Sequence, residues 1–217
     1  MPQRRFALPP DATEVVLLRH GASIPAVEGQ PFDLLDGHDD PPLAPAGEAQ
    51  ALLAAERLPK ESPSALFVSG LTRTVQTAAP LVERTGLEPR VVGDLREVML
   101  GDWQGGEFRI RMAAGDPLAL SVLTEERWDV IPNAERAAEF TARVRSGIET
   151  VVEETGPGHT AVAVVHGGVI AEACRQATAS RPLAFVSVDN CSITRIVVFG
   201  DGRWLLRAFN DTAHLDA

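Results

Sequence analysis

Apolar residues in this chain fall into two patterns. Residues 15–18, 65–68 and 160–165 are short runs with almost no polar interruption, as in strands covered on both faces. Residues 91–92 form a shorter run of the same kind. Between these runs, apolar positions recur at helical spacing. Ala51, Leu52, Ala55 and Leu58 predict a helix over 47–58. A second helix is predicted over 72–84, stopped by Gly86. Phe140, Val144, Ile148, Val151 and Val152 predict a long helix over 134–154, ended by Gly156-Pro157-Gly158. A further helix follows Gly168 and runs to about Ala177.

The remaining segments read differently. Residues 192–199 and 203–209 flank Gly200-Asp201-Gly202, a hairpin signal. Residues 1–13 read as an irregular lead-in. Residues 22–45, rich in Pro, Gly and Asp, read as a long loop, and loops of that length are usually functional or mobile. Residues 101–133 carry Trp103, Gly105-Gly106, Pro117 and Trp128 and predict two short helices, with 105–133 as a cap segment. Strands alternating with helices predict an α/β chain, a three-layer α/β/α sandwich around a mostly parallel sheet. Only the C-terminal hairpin is expected to be antiparallel. All 217 residues are read as one domain.

Composition narrows the partners. A hydrophobic fraction of 45% over 217 residues allows a sizeable core. The net charge of −10 argues against nucleic acid or an anionic membrane. It leaves room for a small anion in a local cationic pocket. No apolar run approaches the roughly 18 residues of a membrane span, and Phe6-Ala7-Leu8 is too short for a signal-peptide core. Cys174 and Cys191 are too few for a disulfide framework or a metal cage. They read as reduced, buried residues of a cytoplasmic protein.

The chemistry gathers where the strands end. In open α/β sheets, ligands bind beyond the carboxyl ends of the strands. The first strand runs into Arg19-His20-Gly21, the second into Ser69-Gly70 with Arg73 close behind, and the fourth into His166-Gly167-Gly168. Glu97 follows the third. Parallel strands would bring two histidines, two arginines and a carboxylate to one edge. Guanidinium forks match phosphate oxygens. Helix N-termini, expected after Gly21, Ser69 and Gly168, add N–H donors. A neutral histidine can accept a phosphoryl group without a metal, and a nearby carboxylate can protonate the leaving oxygen.

Five segments together resemble the histidine phosphatase superfamily, the phosphoglycerate mutase-like proteins. Leu18-Arg19-His20-Gly21 is similar to its signature. The segment 42–51 resembles "PLTxxGxxQA", with Ala44 where Thr or Ser is common. The segment 68–78 resembles "SxLxRAxQTA", with its leucine shifted. Leu95-Arg96-Glu97 with Gly101-Asp102-Trp103-Gln104-Gly105 resembles "LxExxxGxWEG", and Val165-His166-Gly167-Gly168 the second histidine motif. Asn190-Cys191-Ser192-Ile193-Thr194 matches a late strand of the phosphatase branch. The resemblance implies a phosphoglycerate mutase-like fold. It implies a phosphomonoesterase for a small phosphorylated metabolite, with inorganic phosphate as product and no metal or organic cofactor. It makes His20 the nucleophile, Glu97 the acid–base, and Arg19, Arg73 and His166 the phosphate ligands. Ser23 and the Gly167 and Gly168 amides are further candidate donors.

Competing readings attach to the same residues. A phosphoglycerate mutase would share the phosphohistidine, but Ile24-Pro25-Ala26 stands where mutases carry Trp-Asn. A non-catalytic phospho-ligand binder would keep the pocket and lose a key residue, and all five are present. His38-Asp39-Asp40 lacks metal-ligand spacing and reads as a solvated loop, against a metal-dependent hydrolase. His159 and His214 read as surface residues, and Trp103 as packing beneath the site. Arg109, Arg111 and Trp128 are candidate substrate contacts in the cap. The last hairpin could offer an edge to a homodimer.

Overall fold

The structure, a computed structural model, describes residues 6–216. The first strand, β1 (Ala12–Arg19), is longer than its apolar run because Ala12, Thr13 and Glu14 are also buried. The irregular lead-in is therefore shorter than expected, and residues 1–5 of it lie outside the described residues. The loop read over 22–45 contains a small antiparallel hairpin of β2 (Leu34–Leu35) and β3 (His38–Asp39). Helix α1 (Pro45–Arg57) begins earlier than predicted, with proline in its first turn, where a missing N–H costs nothing. Strand β4 (Ala65–Val68) and helix α2 (Thr72–Thr85) follow, the latter ending on a left-handed Gly86. The short edge strand β5 spans Pro89–Val91.

The segment 101–133 does hold two helices, α3 (Glu107–Ala114) and α4 (Pro117–Glu125), with short 3-10 turns on either side. Asp116 caps α4 by accepting from the N–H groups of Leu118 and Ala119. Helix α5 (Ala137–Thr155), strand β6 (Thr160–Val165) and helix α6 (Gly167–Thr178) come next. Strands β7 (Ile193–Phe199) and β8 (Trp204–Asp211) close the chain as a hairpin.

The main sheet has the order β5-β4-β6-β1-β7-β8. The first four strands are parallel, and β7 joins β1 antiparallel. Period-two alternation sorts the strand residues to opposite faces. Val15, Leu17, Phe67, Ala161 and Ala163 pack with Phe140, Val144 and Ile148 of α5 and Val169 and Ile170 of α6. Val16, Leu18, Leu66, Val68 and Val162 pack with Ala54 and Ala55 of α1 and Ala78 and Leu81 of α2. This is the expected three-layer arrangement. One expected core residue is misplaced: Leu52 is 53% exposed, because α1 turns a stripe of small residues inward, Gly47, Ala51, Ala54 and Ala55. That stripe lets α1 approach the end of β1 so closely that a Cβ on Gly21 would lie 2.5 Å from the Gly47 carbonyl oxygen.

Candidate active site

The ends of β1, β4 and β6 meet as expected. His20 and His166 are both buried, with ring centroids 5.2 Å apart. A cavity of about 330 Å³ opens at this edge; Arg19, His20, Arg73, Glu97 and Gly167 are among its lining residues, while the fully buried His166 is not. No helix follows Gly21, contrary to expectation. The Gly21 N–H is instead taken by Thr77 Oγ1 at 3.0 Å and the Ala22 N–H by Gln50 Oε1 at 2.9 Å.

The tautomer of His20 is fixed by the adjacent backbone. His20 Nδ1 lies 2.7 Å from the Gly21 carbonyl. A carbonyl only accepts, so Nδ1 carries the proton and Nε2 keeps its lone pair. Burial holds His20 well below the usual histidine range, with Arg73 and Arg19 adding to the effect. The ring is therefore neutral near pH 7. His166 is pushed down likewise, by burial first and then Arg73. Its Nε2 is 2.8 Å from Ser69 Oγ, which in turn lies 3.2 Å from Thr74 Oγ1.

The arginines are fixed by backbone carbonyls at the rim of the pocket. Arg19 donates to the Val188 carbonyl. Arg73 donates to the Asp39 carbonyl at 2.6 Å, and burial pushes its guanidinium down to about 10. Arg19 Nε, Arg73 Nε and His166 Nδ1 are among the buried side-chain polar atoms of the described residues that have no hydrogen-bond partner. Arg19 and Arg73 line the cavity and His166 packs against His20, and such orphans are costly in a folded protein unless a ligand satisfies them.

Glu97 is held at both oxygens, accepting from its neighbour Val98 at 3.0 Å and from Gly168 at 3.2 Å. Gly168 is the residue that permits this, since a Cβ there would lie 2.5 Å from Glu97 Oε1. The Gly168 amide thus serves the carboxylate rather than standing free. Behind it, Arg143 of α5 donates to the carbonyls of Asp94, Arg96 and Glu97 at 2.7–2.9 Å and to Glu135. The helical period of α5 placed Arg143 on a polar face, and nothing in the sequence marked it as a clamp on the Glu97 loop.

Four expectations are corrected here. His38-Asp39-Asp40 is no solvated loop. Asp39 accepts from the Gly105 and Gly106 amides, and Asp40 takes the N–H and hydroxyl of Thr72 at 2.7 and 2.6 Å. The pair ties α2, and with it Arg73, to the cap. Ser23 does not line the cavity; its Oγ accepts from Arg109 at 3.0 Å. Arg111 faces away, pairing with Glu107 and Asp116 over the ring of Trp103. Arg109 and Trp128 do line the cavity. Trp103 is buried beneath it, as expected. His159 is exposed, but both ring nitrogens of His214 are enclosed. Cys174 and Cys191 are buried and free, and burial pushes both thiols up to about 12. No group of three or more His, Cys, Asp or Glu among the described residues could hold a metal ion. No described helix is long and apolar enough to cross a membrane.

Comparison with known proteins places this geometry. A family model described as histidine phosphatase superfamily (branch 1) matches residues 15–212. The glucosyl-3-phosphoglycerate phosphatase of Mycobacterium tuberculosis is 33% identical over 95% of this chain and 98% of its own. The solved structure of mycobacterial glucosyl-3-phosphoglycerate phosphatase with inorganic phosphate superposes with a TM-score of 0.74 at 31% identity, covering 93% of this chain and 98% of that one. A phosphoglycerate mutase structure from Bacillus anthracis shares the fold, with a TM-score of 0.77 at 22% identity over 95% and 96% of the two chains.

Proposed function

Because this chain belongs to the histidine phosphatase superfamily, we propose that it is a metal-independent phosphomonoesterase acting on a small phosphorylated metabolite through a phosphohistidine on His20. The observation that carries this reading is the set of three orphaned buried donors around a neutral histidine. Arg19 Nε, Arg73 Nε and His166 Nδ1 match the equatorial oxygens of a phosphoryl group, where charge-assisted hydrogen bonds are strongest. The proposed role assigns the His166 proton to Nδ1, which donates to phosphate, with the Ser69 hydroxyl donating to Nε2 at 2.8 Å.

In the first step His20 Nε2 attacks phosphorus in line. The P–O ester bond breaks, and Glu97 gives its proton to the leaving oxygen. In the second step Glu97 takes a proton from water. The hydroxide attacks phosphorus, and the P–N bond breaks to return the lone pair to His20. The Arg143 clamp and the Gly168 amide keep Glu97 in place for both transfers.

Phosphate release from p-nitrophenyl phosphate and a panel of phosphorylated metabolites, with EDTA present, tests the proposal. Wild type releases phosphate and His20→Ala does not. Release by neither, or equal release by both, would contradict it. Interconversion of phosphoglycerates with a bisphosphoglycerate primer, without net phosphate release, would reassign the pocket to a mutase.

A further inference from the structure

The cavity is two-sided in chemistry. Its floor is cationic, while Leu100, Phe108, Met112, Leu123, Trp128 and Val186 give the lining an apolar wall. The wall is backed by a small core of its own. Phe108 stacks on Trp103 at 6.3 Å and meets Trp128 edge-on at 5.8 Å, with Ala119, Val122 and Ile131 packed behind.

Several polar atoms lining the rest of the cavity already have protein partners. Both Asp39 oxygens are taken by the Gly105 and Gly106 amides. Gln104 Oε1 accepts from the Asp39 N–H at 2.9 Å. Arg109 is held by Ser23 Oγ and the Ile24 carbonyl, with its guanidinium over the Phe32 ring. His38 Nδ1 lies 3.2 Å from the Asp36 carbonyl. A leaving group rich in hydroxyls would lose its water against the apolar wall with few partners in exchange, and unsatisfied polar groups cost more than made hydrogen bonds return. An apolar leaving group would gain by the same burial.

We propose that this pocket selects phosphomonoesters of apolar alcohols, aryl or arylalkyl, over those of polyols and sugars. The inference rests on the phosphatase reading above and adds the substrate class to it. It departs from the sugar-bearing substrate in the name of the mycobacterial relative.

The test compares kcat/KM for 2-phenylethyl phosphate and sn-glycerol 3-phosphate. Both are esters of primary alcohols, so leaving-group chemistry gives the phenylethyl ester no advantage. The expected ratio is about tenfold or more in favour of the phenylethyl ester, the scale of burying one apolar side chain. Leu123, 45% exposed at the cavity mouth, tolerates a polar replacement, and Leu123→Gln is expected to lower the ratio severalfold. Met112→Gln provides a second variant on the neighbouring helix. A wild-type ratio near or below one, with both esters hydrolysed, overturns the inference and leaves the phosphatase reading standing. A high ratio unmoved by both variants overturns its assignment to this wall. If neither ester nor p-nitrophenyl phosphate is hydrolysed, the phosphatase reading has failed and the inference falls with it.

Discussion

The floor and the wall of the cavity are built on opposite principles. The floor is set at the ends of buried parallel strands, and each of its side chains is held by a contact from the surrounding protein. Gly21 fixes His20, Val188 fixes Arg19, Asp39 fixes Arg73, and Gly168 with Arg143 fixes Glu97 and its loop. The wall stands on α3, which buries no residue, and α4, which buries only Ala119 and Val122. A rigid floor suits chemistry that depends on in-line geometry. A wall backed by a small core separate from those packed on the sheet can change sequence without disturbing the sheet. The division implies that reaction type and substrate choice are separable in this fold.

The largest expected effect lies on the floor. Glu97→Gln keeps the shape and removes the transferable proton, so turnover of an alkyl phosphate should fall about 10³-fold. The first-turnover burst of p-nitrophenolate should survive, because that leaving group needs no proton. Rapid-quench kinetics on both esters would read the split, and equal losses would remove Glu97 from the acid role.

Next comes the cost of keeping two histidines neutral. Both have pKa values below that of the unfolded chain, so on acidification the unfolded chain takes up protons first. Their contribution is intact above about pH 6.5 and is lost as pH falls below it. The loss approaches about 2.7 kcal/mol per pH unit while two protons separate the states. His166→Gln should about halve that slope in urea melts, and an unchanged slope would mean that the ring is not buried neutral.

Arginines sharpen the contrast further. Arg19→Lys keeps the charge and loses the fork, with an expected loss of about 2 kcal/mol in transition-state stabilisation. Arg111→Ala, in the cap but turned away from the cavity, removes partly exposed ion pairs and should cost less than about 1 kcal/mol of stability, with kcat/KM little changed. Similar effects of the two on kcat/KM would erase the distinction between floor and wall.

The same division governs what the sequence made legible. His20, Arg19, Arg73, Glu97 and His166 were readable because strand ends and helix starts are local signals, and a parallel sheet brings them to one edge. The Asp39–Asp40 staple and the Arg143 clamp were not readable, because each joins segments far apart in sequence through backbone groups of unremarkable residues. Helices α3 and α4 were foreseen, but which of their faces turns inward was not. Arg109 and Arg111 are two residues apart on one helix, and only the first reaches the cavity. Ser23 illustrates a subtler limit: its motif position suggested a phosphate donor, while its hydroxyl holds the arginine that lines the pocket.

The account stands most directly on a covalent bond between phosphorus and His20. Wild-type protein mixed with a saturating phosphomonoester, quenched in alkali where phosphohistidine survives, and digested for mass spectrometry should show one phosphoryl group on the peptide containing His20. His20→Ala should show none. Steady hydrolysis by the wild type with no phosphoryl group on that peptide, or with the label on another residue, would contradict the account.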